Sequence, residues 1–186
     1  METIKITKSD LNKDNKYKKP NIGSYDKYEN VSVEIDEGLG YVVFEKGIYV
    51  NGSIIAKAGS GIKAGEGIKA GEGIKAGSGI EAGSGIEAGW GIEAGWGIEA
   101  GLGIKAGEGI VSLCSWIKAK LSITIDSRCR IVAGVFSFDG AKEVEAQEIN
   151  GEVAYGVVKL LPKENTETPA KEDVIELNGV KYKRVV

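Results

Sequence analysis

Between residues 58 and 111 the chain sets apolar and polar positions in a period of six. The unit A-G-x-G-I-z runs nine times without insertion. Alanine recurs from Ala58 to Ala106, and isoleucine follows four residues after each, from Ile62 to Ile110. Position z reads Lys63, Lys69, Lys75, Glu81, Glu87, Glu93, Glu99, Lys105 and Val111. A period of six does not keep one face of a 3.6-residue helix, and two glycines per unit oppose helix further. Extended structure fits. Along I-z-A, two-residue alternation turns isoleucine and alanine to one side and the charged residue to the other. The G-x-G step supplies a corner, which we attribute to backbone angles that only glycine reaches easily. Each unit is therefore a short strand plus a bend, and such fidelity marks a repeat architecture.

Charge selects the closure. Residues stacked in neighbouring coils lie about 4.8 Å apart. With three units per coil, Lys63/Glu81, Lys69/Glu87, Lys75/Glu93 and Glu87/Lys105 stack with opposite sign, and only Lys57/Lys75 and Glu81/Glu99 repel. With two units per coil, like pairs outnumber opposite ones. The pattern predicts a mainly β fold: a parallel β-solenoid of triangular section, three units per coil.

The hexad resembles the left-handed parallel β-helix of hexapeptide-repeat proteins, which turn a large aliphatic and a small residue inward two positions apart. Here the order of sizes is exchanged, Ile62 preceding Ala64. The resemblance implies architecture rather than activity. The chain is also similar to uncharacterised glycine-rich repeat proteins of bacterial phages and prophages. That similarity rests on the Ala-Gly-Trp-Gly-Ile-Glu units at 88–99 and the closing Asn-Gly-Val-Lys-Tyr-Lys at 178–183. It implies a viral origin.

The flanks divide the rest. Residues 1–30 read as a polar arm, with Lys13, Lys16, Lys18 and Lys19 beside Tyr17, Tyr25 and Tyr28. A solvated tail is the expectation, and contact with a phosphate backbone the sharper alternative. Residues 31–118 hold the solenoid and its N-terminal cap; counting back by sixes from Ile62 gives Ala56, Val50 and Phe44, so the coil is expected to begin near Phe44. Residues 119–161 form a strand-rich region, with a hairpin expected from Val144 to Val158 around Asn150-Gly151. One of its faces carries Val144, Ala146, Val153, Tyr155 and Val157. The other carries Glu143, Glu145 and Glu152, either a solvated side or an acidic surface that competes with nucleic acid. A polar linker fills 162–173. A hairpin tail at 174–186 pairs Ile175 with Tyr182, Glu176 with Lys181 and Asp173 with Arg184.

Composition narrows function mainly by exclusion. There is no histidine, the commonest general base and zinc ligand. Ser112, Ser115, Ser122 and Ser127 therefore lack an obvious activating base, and no phosphate-binding G-x-x-x-x-G-K-[ST] loop occurs. The turns lack the aspartates of calcium-binding solenoids. No metal or cofactor is expected, and Cys114 and Cys129 read as packing residues. The net charge of −3 points to neither nucleic acid nor an anionic membrane, and no apolar run is long enough to span a bilayer. A cytoplasmic or virion-associated location is expected.

The variable corner position runs Ser60, Glu66, Glu72, Ser78, Ser84, Trp90, Trp96, Leu102, Glu108. Trp90, Trp96 and Leu102 are consecutive and so ring one level of a triangular prism. They form an outward apolar belt for a partner, or a later segment covers them. Arg128 and Arg130 flank Cys129 and offer an anion site or ordinary surface pairs. The expected function is non-enzymatic protein binding, such as inhibition of a host defence complex. The alternatives are self-assembly into a structural or virion part, and an oligomeric sponge for a small anionic ligand.

Overall fold

The computed structural model describes residues 1–126, 128–137, 140, 142–163, 174–177 and 180–183. The chain winds into a parallel β-solenoid of about six turns, and its three sheets form the faces of a triangular prism. The first face stacks Glu2–Ile6, Val31–Ile35, Ile54–Ala56, Ile74–Ala76, Ile92–Ala94, Ile110–Ser112, Arg130–Ala133 and Glu152–Tyr155. The second stacks Ile48–Val50, Ile68–Ala70, Ile86–Ala88, Gly103–Ala106, Ser122–Ile125 and Glu148–Asn150. The third stacks Gly40–Phe44, Ser60–Ala64, Ile80–Ala82, Ile98–Ala100, Ile117–Ala119, Glu143–Ala146 and Val157–Leu160.

Through the repeat, isoleucine stacks on isoleucine and alanine on alanine, as in Ile68/Ile86/Ile104 and Ala70/Ala88/Ala106. These side chains fill the interior; the isoleucines from Ile62 to Ile110 are at most 1% exposed. Each strand holds only three to five residues there, so the alternation of isoleucine, charge and alanine is the whole strand.

The corners work differently from expectation. No glycine from Gly61 to Gly109 has the positive φ that favours glycine. Close approach is the reason instead. A Cβ added to Gly83, Gly89 or Gly95 lies 2.0–2.2 Å from the carbonyl oxygen of the glycine one coil earlier. Glycine stands there because neighbouring coils touch, backbone to backbone.

The opposite-sign stacks are all present: Lys63–Glu81 at 2.6 Å, Lys69–Glu87 at 2.6 Å, Lys75–Glu93 at 3.0 Å and Lys105–Glu87 at 4.0 Å. The expected Lys57/Lys75 repulsion does not occur. Two extra residues in the turn through Gly59 (φ 72°) shift the earlier register. Ile55, not Lys57, lies opposite Lys75. Lys57 instead reaches Glu34 at 2.8 Å and Asp36 at 3.5 Å. The same shift puts Phe44, Val50 and Ala56 opposite Ala64, Ala70 and Ala76 rather than in the isoleucine stacks.

The coil also starts earlier than Phe44, and the expected tail is structured. Glu2–Ile6 adds a parallel strand to Val31–Ile35. Residues 16, 22 and 29 then bridge to Val43, Ile48 and Val50 in parallel. Ile6, Leu11 and Ile22 are buried, and the Tyr17 ring lies 5.3 Å from that of Phe44. Unpaired strand edges at a solenoid end need cover, and this segment supplies it. Its apolar residues are dispersed among lysines, so no local period announces them.

The coil continues past residue 118. The expected hairpin from Val144 to Val158 is absent, because these strands are parallel neighbours: Val144 pairs with Val158, and Ile131 with Val153. Asn150-Gly151 is a corner, with Gly151 at φ 154°. Val144 and Ala146 are buried and Val153 half-buried, while Tyr155 and Val157 are exposed. In the tail, Val174–Leu177 and Val180–Lys183 pair antiparallel, with Ile175 opposite Tyr182 and Glu176 opposite Lys181 as expected. The Asn178-Gly179 turn, the Asp173/Arg184 pair and linker residues 164–173 lie outside the described residues.

Candidate interaction surface

The corner backbones are held in a ladder, and apart from the buried Ser60 their side chains reach the surface. The Trp90 amide donates to Glu72 O at 3.3 Å, Trp96 to Ser78 O at 3.3 Å, and Leu102 to Ser84 O at 3.0 Å. The corners thus form columns: Glu72–Trp90–Glu108, Ser60–Ser78–Trp96 and Glu66–Ser84–Leu102. Trp90, Trp96 and Leu102 occupy the three corners of one coil and are 56%, 60% and 48% exposed. No described segment covers them. They do not fuse into one patch, since a strand of the coil separates each from the next.

Between each corner column and the charged column of the following face, the second glycine of G-x-G leaves a trough. On the second face a groove of about 570 Å³ runs over Gly67, Gly85 and Gly103, between Ser84 and Leu102 on one side and Lys69 and Lys105 on the other. On the third face a smaller one of about 280 Å³ lies between Tyr41 and Trp116. The first face carries one of about 340 Å³ along Gly73, Gly91 and Gly109, walled by Trp90.

Aromatic rings of the chain already lie on parts of two troughs. Tyr49 Oη accepts from the Gly67 amide at 3.2 Å, and a Cβ on Gly79 would collide with the Tyr41 hydroxyl. Trp116 lies over Gly97, with Lys118 Nζ 5.2 Å from its ring centroid. Burial, then Glu81, raises the Tyr41 hydroxyl above its usual pKa. On the first face Gly73 and Gly91 meet only a neighbouring carbonyl, at 3.4 and 3.3 Å. That shelf is bare.

The outward column of the first face also differs. It reads Ile55, Lys75, Glu93, Val111 and Val132, each opposite the next. The second face shows Tyr49, Lys69, Glu87, Lys105 and Thr124, and the third Val43, Lys63, Glu81, Glu99 and Lys118. Only the first carries several aliphatic residues among its central coils, and Ile55 is 42% exposed. Sequence reading placed Val111 at the outward position but missed Ile55, because the register shift near Gly59 hides its place.

Other candidates disperse. Arg128 Nε lies 3.4 Å from Asp126, and Arg130 Nε 3.6 Å from Glu152, so a carboxylate already faces each. The backbone and side chain of Arg128 hold Asp126 below its usual pKa. Glu143, Glu145 and Glu152 do not form one acidic face. Lys118 approaches the first two, Lys159 binds Glu145 at 2.8 Å and lowers its pKa, and Glu152 meets Arg130. In the N-terminal segment Lys16 pairs with Glu45 at 3.1 Å, and Tyr25 and Tyr28 meet Tyr49 edge-on. The buried Ser112 hydroxyl donates to backbone oxygens of Trp96 and Ser115; Ser127 lies outside the described residues. Cys114 and Cys129 are free thiols, both half-buried. Among the described residues no group of three His, Cys, Asp or Glu side chains is placed to hold a metal, and no helix is long and apolar enough to cross a membrane.

No protein-family model matches the chain, and no curated protein or solved structure matches it.

Proposed function

We propose that this chain is a non-enzymatic binding protein whose coil presents Trp90, Trp96 and Leu102 to a protein partner. The observation that carries the reading is the exposure of two tryptophans and a leucine, each more than 45% exposed, at the corners of a coil whose backbone is fixed by ladder hydrogen bonds. Tryptophan on a rigid support is the residue type that dominates interface energies, because little entropy is lost when it is buried. The resemblance to phage repeat proteins read from the glycine-rich units of the sequence supports one partner class: a host complex, such as a defence assembly that the protein inhibits in the manner of an anti-CRISPR. Cytoplasmic or virion-associated action follows from the same reading.

A second reading, self-assembly, is favoured by the aliphatic residues of the first face. Affinity purification of tagged protein from a bacterial lysate, with stoichiometry read by mass spectrometry, tests the pair. One host complex held near one-to-one supports inhibition and names the target. Recovery of the bait alone, as a larger oligomer, supports self-assembly.

A further inference from the structure

We infer that the first face is a self-pairing surface on which two copies dock with their solenoid axes antiparallel. The inference deepens the self-assembly reading above and rests on it. Three columns carry it. The outward column reads Ile55, Lys75, Glu93, Val111, in register from coil to coil. A two-fold axis along the strands, passing between the coils of Lys75 and Glu93, reverses this order in the partner. Ile55 then faces Val111 of the second copy, Lys75 faces Glu93, and both relations occur twice.

The two corners that border the face obey the same reversal. Ser78 precedes Trp96 in one corner column, so the indole of one copy meets the small serine of the other. Glu72 precedes Trp90 in the other, so each Trp90 meets Glu72 and the bare shelf at Gly73. Trp96 thus finds a small serine, Ile55 finds an aliphatic partner, and Lys75 finds its opposite charge. The alternative two-fold, parallel to the solenoid axis, sets Lys75 against Lys75 and Glu93 against Glu93, and it crowds Trp90 onto Trp96. Like-charge juxtaposition at a contact is strongly unfavourable. The occupant is therefore a second copy in the antiparallel arrangement. The other faces do not repeat the pattern: Lys69, Glu87, Lys105 and Lys63, Glu81, Glu99 are charged throughout, and rings of the same chain already lie on part of their glycine troughs.

Sedimentation of the full chain at micromolar concentration tests this directly. The wild type is expected at twice the 19.6 kDa chain mass. Lys75→Glu and Glu93→Lys each place two like charges across the axis and are each expected to weaken the dimer by about tenfold or more. Mixing the two variants restores opposite signs between copies, so a heterodimer is expected where neither variant pairs alone. No effect within one chain produces that rescue, since each variant keeps its own like-charged stack. Circular dichroism confirms that every variant is folded. A monomeric wild type, a dimer indifferent to both reversals, or a mixture that stays monomeric overturns the inference. If the wild type is monomeric but captures a host protein, and Trp96→Ser abolishes that capture, the face serves a foreign partner. The binding proposal then stands and self-pairing falls.

Discussion

The two glycines of a single corner are predicted to differ sharply in their tolerance of a methyl group. Around Trp90, a Cβ on Gly89 falls 2.0 Å from the carbonyl oxygen of Gly71, whereas one on Gly91 falls 3.3 Å from that of Gly109. Neither residue has positive φ, so both substitutions test packing rather than backbone strain. In Gly89→Ala the coils must part by about 1 Å, an overpacking that costs roughly 1–3 kcal/mol. Parting also stretches the bonds from the Gly89 amide to Ala70 O (3.0 Å) and from the Trp90 amide to Glu72 O (3.3 Å). At about 1 kcal/mol per buried hydrogen bond, the total is about 3–5 kcal/mol. In Gly91→Ala the carbonyl has to yield by only a few tenths of an ångström, and the reduced freedom of the unfolded chain offsets the cost. The net change is within about 0.5 kcal/mol of zero. Thermal unfolding followed by circular dichroism reads the difference. Gly89→Ala is expected to melt roughly 6–20 °C lower for a chain of this size, and Gly91→Ala within about 2 °C of the wild type. If the two variants melt together, close coil contact is not why the first glycine is there, and the account of the corners is wrong.

Further predictions concern the core, the charges and the belt. Ile86→Ala, at a site 1% exposed between Ile68 and Ile104, is expected to cost about 2–5 kcal/mol in urea unfolding; Lys69→Ala, which breaks one lateral ion pair, is expected to cost less than about 1 kcal/mol. The Lys57 hydrogen bond lowers the Glu34 pKa, and Lys159 does the same for Glu145, so their stabilisation is present above the unfolded carboxyl value of 4.5 and fades as pH falls through the folded values. Lys63 and Lys69, raised by Glu81 and Glu87, contribute fully below 10.5 and lose that contribution as pH rises through their folded values. With no histidine in the chain, melting temperature measured against pH is expected to be flat near neutrality; a step centred at about pH 6.5 contradicts this. Trp90→Ser combined with Trp96→Ser is expected to leave the melting temperature unchanged while abolishing association measured by sedimentation or capture. Unchanged association rejects the belt.

What the sequence disclosed depended on whether position or contact set the residue. The isoleucine and alanine columns were legible because every coil asks the same question of the same position. The lateral ion pairs even revealed the number of units per coil. The corner glycines were legible as corners but not in their cause, since close approach between residues 18 apart leaves no local trace. The ends were read least well. Ile6, Leu11 and Ile22 cover a coil end that has no repeat of its own. Asn150-Gly151, a strong local hairpin signal, was overridden by parallel pairing to the preceding coil. At Lys57 a two-residue insertion moved Ile55 onto the outer face, and no count by sixes finds it.

The repeat itself separates what the fold requires from what it merely permits. Within the repeat, inward positions are filled by isoleucine and alanine packed in the interior, and the first corner glycine is held by contact with the coil before. The residue between the two glycines meets neither demand. Ser78 and Ser84 stand one coil before Trp96 and Leu102 in the same columns, and the ladder bonds run identically through both. Serine therefore satisfies the corner, and the larger side chains fill no internal space. Exposing two indoles and a leucine side chain to water is unfavourable by roughly 25 cal/mol for each Å² of apolar surface, and nothing in the folding of the isolated chain returns it. Under the binding proposal, a surface that supplies the missing cover, whether on a second copy or on another protein, would account for their presence at this level of the solenoid and not at the level below.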